Sequence, residues 1–290
     1  MTLAKIRIHH RTTYRYSTPV NPGPQRLMLR PRESRELRLL SNEITMIPDA
    51  ELTWALDVSG NAIATAKFAS TVDTLTIDAV SELQLSSEAW PIFPIAASAI
   101  NYPFLYADDE RLDLGALATR QYDDRDGKVH AWAKGFAGNN QIDTLTLLKN
   151  ISAGIHGRSQ YESREVEGTQ TPTQTLDQCR GSCRDFAVLF VEAVRLLGFG
   201  ARIVSGYLYN RDNSIIGSAD AGSTHAWAEV YLPGAGWITF DPTNRSVGGF
   251  NLIPVAVACD IKQTIPIAGS FAGPNDAMSS MDVTVAVVGV

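Results

Sequence analysis

The sequence has no apolar run long enough to cross a bilayer. Nowhere do roughly 18 such residues stand in a row, which argues against a membrane span and a membrane partner. It has no basic excess either: 25 Lys and Arg face 31 Asp and Glu, for a formal net charge of −6. Without such an excess to displace phosphate counterions, a nucleic-acid partner is not expected. Cysteine is scarce and odd in number. Cys179, Cys183 and Cys259 do not make a disulfide framework, which points to reduced thiols in a cytoplasmic protein. The opening Met1-Thr2-Leu3-Ala4-Lys5 lacks the apolar stretch and small-residue cleavage site of a secretory signal. Repeats and low-complexity tracts are also missing. What is present is an ordinary globular composition, 44% hydrophobic and 19% charged over 290 residues. That supplies core for one large or two medium domains.

The first ninety residues read as strands. Side-chain character alternates at period two in Ile6-Arg7-Ile8-His9 and Tyr14-Arg15-Tyr16. A turn-rich break is expected at Thr18-Pro19-Val20-Asn21-Pro22-Gly23-Pro24. Strand-like runs follow at 27–29, 37–46, 52–58, 62–68 and 75–85, with hairpin chemistry at Ser59-Gly60-Asn61. Short strands with regular turns predict an N-terminal β-sandwich domain over 1–90. Residues 91–127, with prolines at 91, 94 and 103 and the acidic Asp108-Asp109-Glu110, read as a connector that wraps onto the next domain. An α+β unit is expected over 128–290. Leu145, Leu148, Ile151 and Ile155 form a helical stripe, and Phe186, Leu189, Phe190, Ala193, Val194 and Leu197 form a wider one that Gly198 caps. Strands follow at 201–209, 224–232 and 237–241, with a polar, exposed and mobile loop over 210–223. The last ten residues predict one more strand.

Cys183 lies in Gly181-Ser182-Cys183-Arg184-Asp185-Phe186, at the expected start of the longer helix. There the macrodipole and unpaired N–H groups favour a thiolate, and the same N–H groups can hold an oxyanion. An isolated cysteine is more often a small buried core residue. The neighbourhood changes that balance. In Thr224-His225-Ala226-Trp227-Ala228-Glu229-Val230-Tyr231-Leu232, alternation puts Ala226, Ala228, Val230 and Leu232 on an apolar face, and His225, Trp227, Glu229 and Tyr231 on the other.

Asp241 ends the next strand, after the turn Pro233-Gly234-Ala235-Gly236. A three-residue loop over 233–235 would set Leu232 opposite Gly236 and Trp227 opposite Asp241. His225 and Asp241 would then be diagonal neighbours about 7–8 Å apart, within hydrogen-bond reach. A two-residue loop would put them on opposite faces. A His–Asp pair therefore requires an odd loop or a bulge, which Gly236 can supply. Together the three residues suit nucleophilic acyl transfer: a thiolate attacks, an imidazole moves the proton, and a carboxylate fixes the imidazole's tautomer.

These three blocks, with Phe240-Asp241-Pro242-Thr243 as the third, resemble the Cys, His and Asp boxes of the bacterial transglutaminase-like superfamily. The stretch 196–207 resembles the family's helix-to-strand segment. His10–Tyr16 with Leu29-Arg30-Pro31-Arg32 resembles the β-rich domain that precedes the core in many bacterial members. The resemblance implies a papain-like core, a helix bearing the Cys packed on an antiparallel sheet, and calcium-independent chemistry in most bacterial members. It does not imply one reaction, since relatives include cross-linking transglutaminases, peptidases, amidases and glycanases.

An oxyanion-hole side chain is less clearly marked. Gln178 or Tyr161 is placed to serve, each with an ordinary surface or packing role as the alternative. Trp227 walls the cleft or packs in the core. Asp185 is expected to bond N–H groups of the first helical turn. Cys179, four residues before Cys183, suggests a redox or metal pair, but no second Cys/His pair with ligand spacing accompanies it, so neither zinc nor another cofactor is expected. The functional expectation is a thiol enzyme acting on amide bonds of a peptide or protein substrate through a thioester, with hydrolysis ahead of protein-glutamine transamidation. Peptide-ligase-type proteins would be natural genomic neighbours. A non-catalytic peptide-binding or assembly scaffold is the alternative from another class.

Overall fold

The computed structural model describes residues 4–86, 91–164, 168–210 and 223–290. The polar loop expected over 210–223 falls, for residues 211–222, outside the described residues. The N-terminal region builds two antiparallel sheets from β1 (Ala4–Pro22), β2 (Gln25–Leu27), β3 (Leu37–Ile47), β4 (Glu51–Leu56), β5 (Ala62–Lys67) and β6 (Val72–Leu85). One sheet carries β1, β6 and β3, the other β2, β5 and β4. From Leu75 to Leu85, β6 buries every second side chain, as period-two patterning requires. Leu27, Met46, Ala64, Ala66, Leu75 and Ile77 share the core formed between the sheets. The β4–β5 hairpin turns through Asp57–Asn61, with Gly60 at φ 72°.

The expected break at 18–24 is only partly a break. Strand β1 runs on to Pro22, and its pairing with β6 shifts register between Arg15 and Val20. Prolines lack a ladder donor, so Pro19 is tolerated where the pairing with β6 is interrupted, and Pro22 beyond its last pair, at the end of the strand.

The second region holds α1 (Asp108–Leu114), α2 (Lys128–Ala137), α3 (Thr144–Arg158), α4 (Pro172–Gln178) and α5 (Cys183–Leu196). Two short ladders pair β7 (Asn101–Tyr102) with β8 (Ile142–Asp143), and β9 (Gln160–Tyr161) with β10 (Arg180–Gly181) in parallel. The main sheet comprises β11 (Ala201–Leu208), β12 (Ser223–Leu232), β13 (Gly236–Asp241), β14 (Ser246–Val247) and β15 (Leu252–Ala258), antiparallel throughout, in the order β14-β13-β12-β11-β15. Helix α5 is apolar over most of its circumference because it is covered nearly all round. Phe186, Leu189, Phe190 and Val194 join Ala226, Ala228, Val230 and Leu232 of β12 in one core. It ends as the sequence predicts: Gly198 takes φ 95°, its N–H donates to Arg195 O, and Phe199 N–H donates to Val194 O.

The connector does wrap onto this core, through Phe93, Ile95, Tyr102, Phe104 and Tyr122. Buried Glu192 on α5 accepts the N–H groups of Gln121 and Tyr122 at 2.8 and 3.0 Å and pairs with Arg195 at 2.7 Å. The acidic cluster opens α1, where its charges meet the positive end of the helix.

After β16 (Ile267–Ala268) and β17 (Phe271–Ala272) the chain returns to its start. The last strand, β18 (Met278–Gly289), pairs with β1 from Ile6–Gly289 to Tyr16–Met278. The predicted C-terminal strand therefore completes the N-terminal sheet rather than the core sheet. Ile6, Ile8, Leu83 and Val287 pack against Tyr207, Ile253 and Val255, joining the two regions. Among the described residues no helix is long and apolar enough to cross a membrane.

Candidate active site

Cys183 is the first residue of α5, preceded by Ser182 in extended conformation. The local sequence explains the geometry. Asp185, fully buried, accepts Ser182 N–H at 2.8 Å and Ser182 Oγ–H at 2.9 Å, which fixes the entry into the helix. It also accepts Gln170 N–H at 2.7 Å and pairs with Arg164 at 2.8 Å, so the segment before α4 hangs from the same carboxylate. Position 181 has no room for a larger residue: a Cβ there would lie 2.9 Å from Asp185 Cβ. Gly181, Ser182 and Asp185 are thus tied together by this helix entry, with Cys183 held between them. Cys183 itself is partly exposed.

His225 and Asp241 meet through the odd loop. Leu232 pairs with Gly236 and Ala228 with Phe240, while Gly234 and Gly236 take φ 80° and 73°. His225 Nε2 and Asp241 Oδ2 lie 2.9 Å apart, and both residues are almost fully buried. Asp241 Oδ1 accepts Thr243 N–H at 2.9 Å, closing the Asp-Pro-Thr turn. With Nε2 engaged, the ring nitrogen left for Cys183 is Nδ1, which is buried and makes no well-aligned hydrogen bond. Thiol and imidazole nonetheless lie close enough to shift each other's ionisation. Loose alignment of this kind is common in unliganded sites.

The electrostatics follow from burial and pairing. Burial pushes the Cys183 thiol up, but the charge and hydrogen bonding of His225, the Ala226 N–H and Arg184 together hold it below its ordinary value. Burial would lower His225, yet Asp241 and Cys183 raise it to about 10. Burial likewise opposes the charge on Asp241, and His225, Asn244 and the Thr243 N–H outweigh it, so Asp241 stays below the usual carboxylate range. The pair therefore favours thiolate and imidazolium.

The other candidates separate. Tyr161 pairs in register with Gly181, two residues before Cys183, and packs edge-on against Phe186. Burial, and then the charges of Cys183 and Asp241, push its hydroxyl up to about 12, so it remains a hydrogen-bond donor. Gln178 closes α4 with its side chain exposed. Trp227 is buried and stacks on the His225 ring at 6.2 Å, so it forms a floor beneath the imidazole rather than the wall of an open cleft. Cys179 is a free thiol that caps α4 at φ 51°. A cavity of about 530 Å³, lined by Arg30, Asn42, Trp54 and Leu56, lies in the N-terminal sheets away from Cys183. Among the described residues no three His, Cys, Asp or Glu side chains converge as a metal site would need.

A helix-borne thiol packed on an antiparallel sheet that carries a His–Asp pair defines a papain-like, transglutaminase-like core. Residues 130–242 match the family model of the transglutaminase-like superfamily, and residues 6–84 match that of the bacterial transglutaminase-like N-terminal region. The chain therefore carries a core that belongs to the transglutaminase-like superfamily, behind an N-terminal region of the bacterial transglutaminase-like type. It is 26% identical to an uncharacterized protein of Mycobacterium leprae, over 98% of each chain. An uncharacterized protein of Mycobacterium tuberculosis is 28% identical, over 98% of this chain and 92% of its own. The crystal structure of a Cytophaga hutchinsonii protein provisionally described as a cysteine protease superposes with a TM-score of 0.75 at 19% identity, covering 99% of this chain and 92% of that one.

Proposed function

We propose that the protein is a thiol hydrolase of amide bonds in peptides or proteins, with Cys183 as nucleophile, His225 as the proton carrier and Asp241 as its orienting carboxylate. The observation that carries this reading is the 2.9 Å His225 Nε2–Asp241 Oδ2 contact, buried beside a thiol that this pair favours as thiolate. Thiolate attack on the amide carbonyl forms a tetrahedral oxyanion, which in this reading the N–H groups at the start of α5 receive, with the Tyr161 hydroxyl a further donor. Imidazolium protonates the departing amine, the C–N bond breaks, and a thioester remains on Cys183. Water, deprotonated by the now neutral imidazole, attacks the thioester, releases the acid and returns the proton to the thiolate–imidazole pair. An amine in place of water would give transamidation.

The test is a panel of fluorogenic peptide amides, assayed with and without an added primary amine. Hydrolysis that Cys183→Ala abolishes supports the proposal. Product carrying the amine would move the reading to protein-glutamine transamidation. An unaltered rate in Cys183→Ala would refute both. Peptide binding with no turnover by the wild type would favour the scaffold reading.

A further inference from the structure

Among the described residues four donors reach the Asp241 carboxylate, and one of them is a side chain to which the sequence motifs assign no role. Oδ1 accepts the N–H groups of Thr243 and Asn244 at 2.9 and 3.3 Å, and Oδ2 is shared by His225 Nε2 at 2.9 Å and Asn244 Nδ2 at 2.8 Å. Two donors per oxygen is the full capacity of an ionised carboxylate in this setting. The backbone donors hold Oδ1. Among the described residues, the oxygen that faces the imidazole is held by Asn244 apart from the imidazole itself. Asp241 is 1% exposed, so bulk water is not at hand to replace a lost donor. The turn bearing both residues is anchored from behind, where His156 Nδ1–H donates to the Thr243 carbonyl at 2.9 Å and ties it to α3.

We infer that Asn244 is a positioning residue that keeps Oδ2 of Asp241 on the His225 Nε2–H and thereby holds the imidazole in the orientation that serves Cys183. This rests on the Cys–His–Asp reading above. A donor amide on Oδ2 does two things that a mere filler of the turn would not. It favours the ionised carboxylate, and it fixes the plane in which that carboxylate meets the ring. Without it the carboxylate can swing about Cβ–Cγ, support for the imidazolium weakens, and the thiolate loses its partner charge.

The test compares wild type with Asn244→Ala and Asn244→Asp. The second variant keeps the shape of the side chain and replaces its donor with an acceptor, so it separates donation from packing even where the alanine variant folds poorly. Two readouts are taken: the pH dependence of Cys183 alkylation by iodoacetamide, and kcat and KM on whichever peptide amide the wild type cleaves. The inference expects both variants to move the alkylation midpoint to higher pH and to lower kcat by roughly ten- to hundredfold, the worth of one hydrogen bond to a charged group, with KM little changed. Asn244→Asp should be at least as impaired as Asn244→Ala. An Asn244→Asp profile that overlays the wild type would overturn the inference and leave Asn244 a packing residue of the turn. A wild-type thiol that titrates like a free one would instead overturn the Cys–His reading beneath it, so the two failures are told apart within one experiment.

Discussion

Replacing Asp185 with alanine should destabilise the protein by about 3–5 kcal/mol, the range for breaking a buried charge pair by removing one partner. The structure supports a figure of that size from its parts. Ser182 N–H and Gln170 N–H lose their acceptor in a site where Asp185 is 0% exposed, and a buried donor left unmade costs about 1–3 kcal/mol. Arg164 loses its partner as well, but its side chain is 29% exposed, so solvent offsets part of that loss. The Ser182 Oγ–H bond to the same carboxylate adds about 1 kcal/mol. Against a stability of about 5–15 kcal/mol for an ordinary domain, the loss is large. Asp185→Asn keeps one acceptor oxygen and should lose less. Guanidinium unfolding followed by circular dichroism reads both as midpoints at constant slope. A loss under about 1 kcal/mol in Asp185→Ala would refute the view that this carboxylate organises the approach to Cys183.

Two further predictions concern β11 and what packs against it. Gly206 lies opposite His225 in the ladder, where a Cβ would collide with the carbonyl of Ile253 and lie 2.9 Å from the Trp227 ring. Gly206→Ala should therefore lower thermal stability and thiol reactivity together, and an unchanged alkylation rate would contradict the close packing of β11, β12 and β15. His10 is buried against Tyr207 at 2.9 Å, and burial first, then the charge of His9, lowers it to about 4. Below its unfolded value of 6.5 the unfolded chain binds more protons, so stability falls as pH drops from 6.5 toward 4, by roughly 3.5 kcal/mol at most at about 1.4 per unit. His10→Gln should flatten that decline between pH 7 and pH 5, and an equal decline in the variant would refute the assignment.

Much of the site can be read in the sequence because its geometry is local. The loop Pro233-Gly234-Ala235-Gly236 and the period of two reduce the question of whether His225 and Asp241 share a face to the length of the loop, and the observed pairing of Leu232 with Gly236 is the odd-loop alternative. The apolar alternation of Ala226, Ala228, Val230 and Leu232 likewise identifies the face that meets α5. Other features depend on distant pairing that no local pattern encodes. The return of β18 to β1 joins residues more than 260 apart, and β1 continues through its prolines because the ladder slips there. Asp185 likewise reaches Gln170 and Arg164 across 15 and 21 residues of chain. Asn244 is an intermediate case. The pattern Asp-Pro-Thr-Asn advertises a turn held by the aspartate side chain, but not that the asparagine amide shares the oxygen used by the histidine.

The most direct test of the account is the rate of Cys183 alkylation by iodoacetamide as a function of pH, in wild type and in His225→Ala. Because His225 is raised to about 10 and Cys183 lowered, the wild-type thiol should react well below the free-thiol value of about 8.5. His225→Ala should move that midpoint up to the free-thiol value or beyond, since burial then acts unopposed by the imidazolium. A wild-type midpoint at the free-thiol value, unchanged by His225→Ala, would contradict the thiolate–imidazolium pair and with it the proposed chemistry.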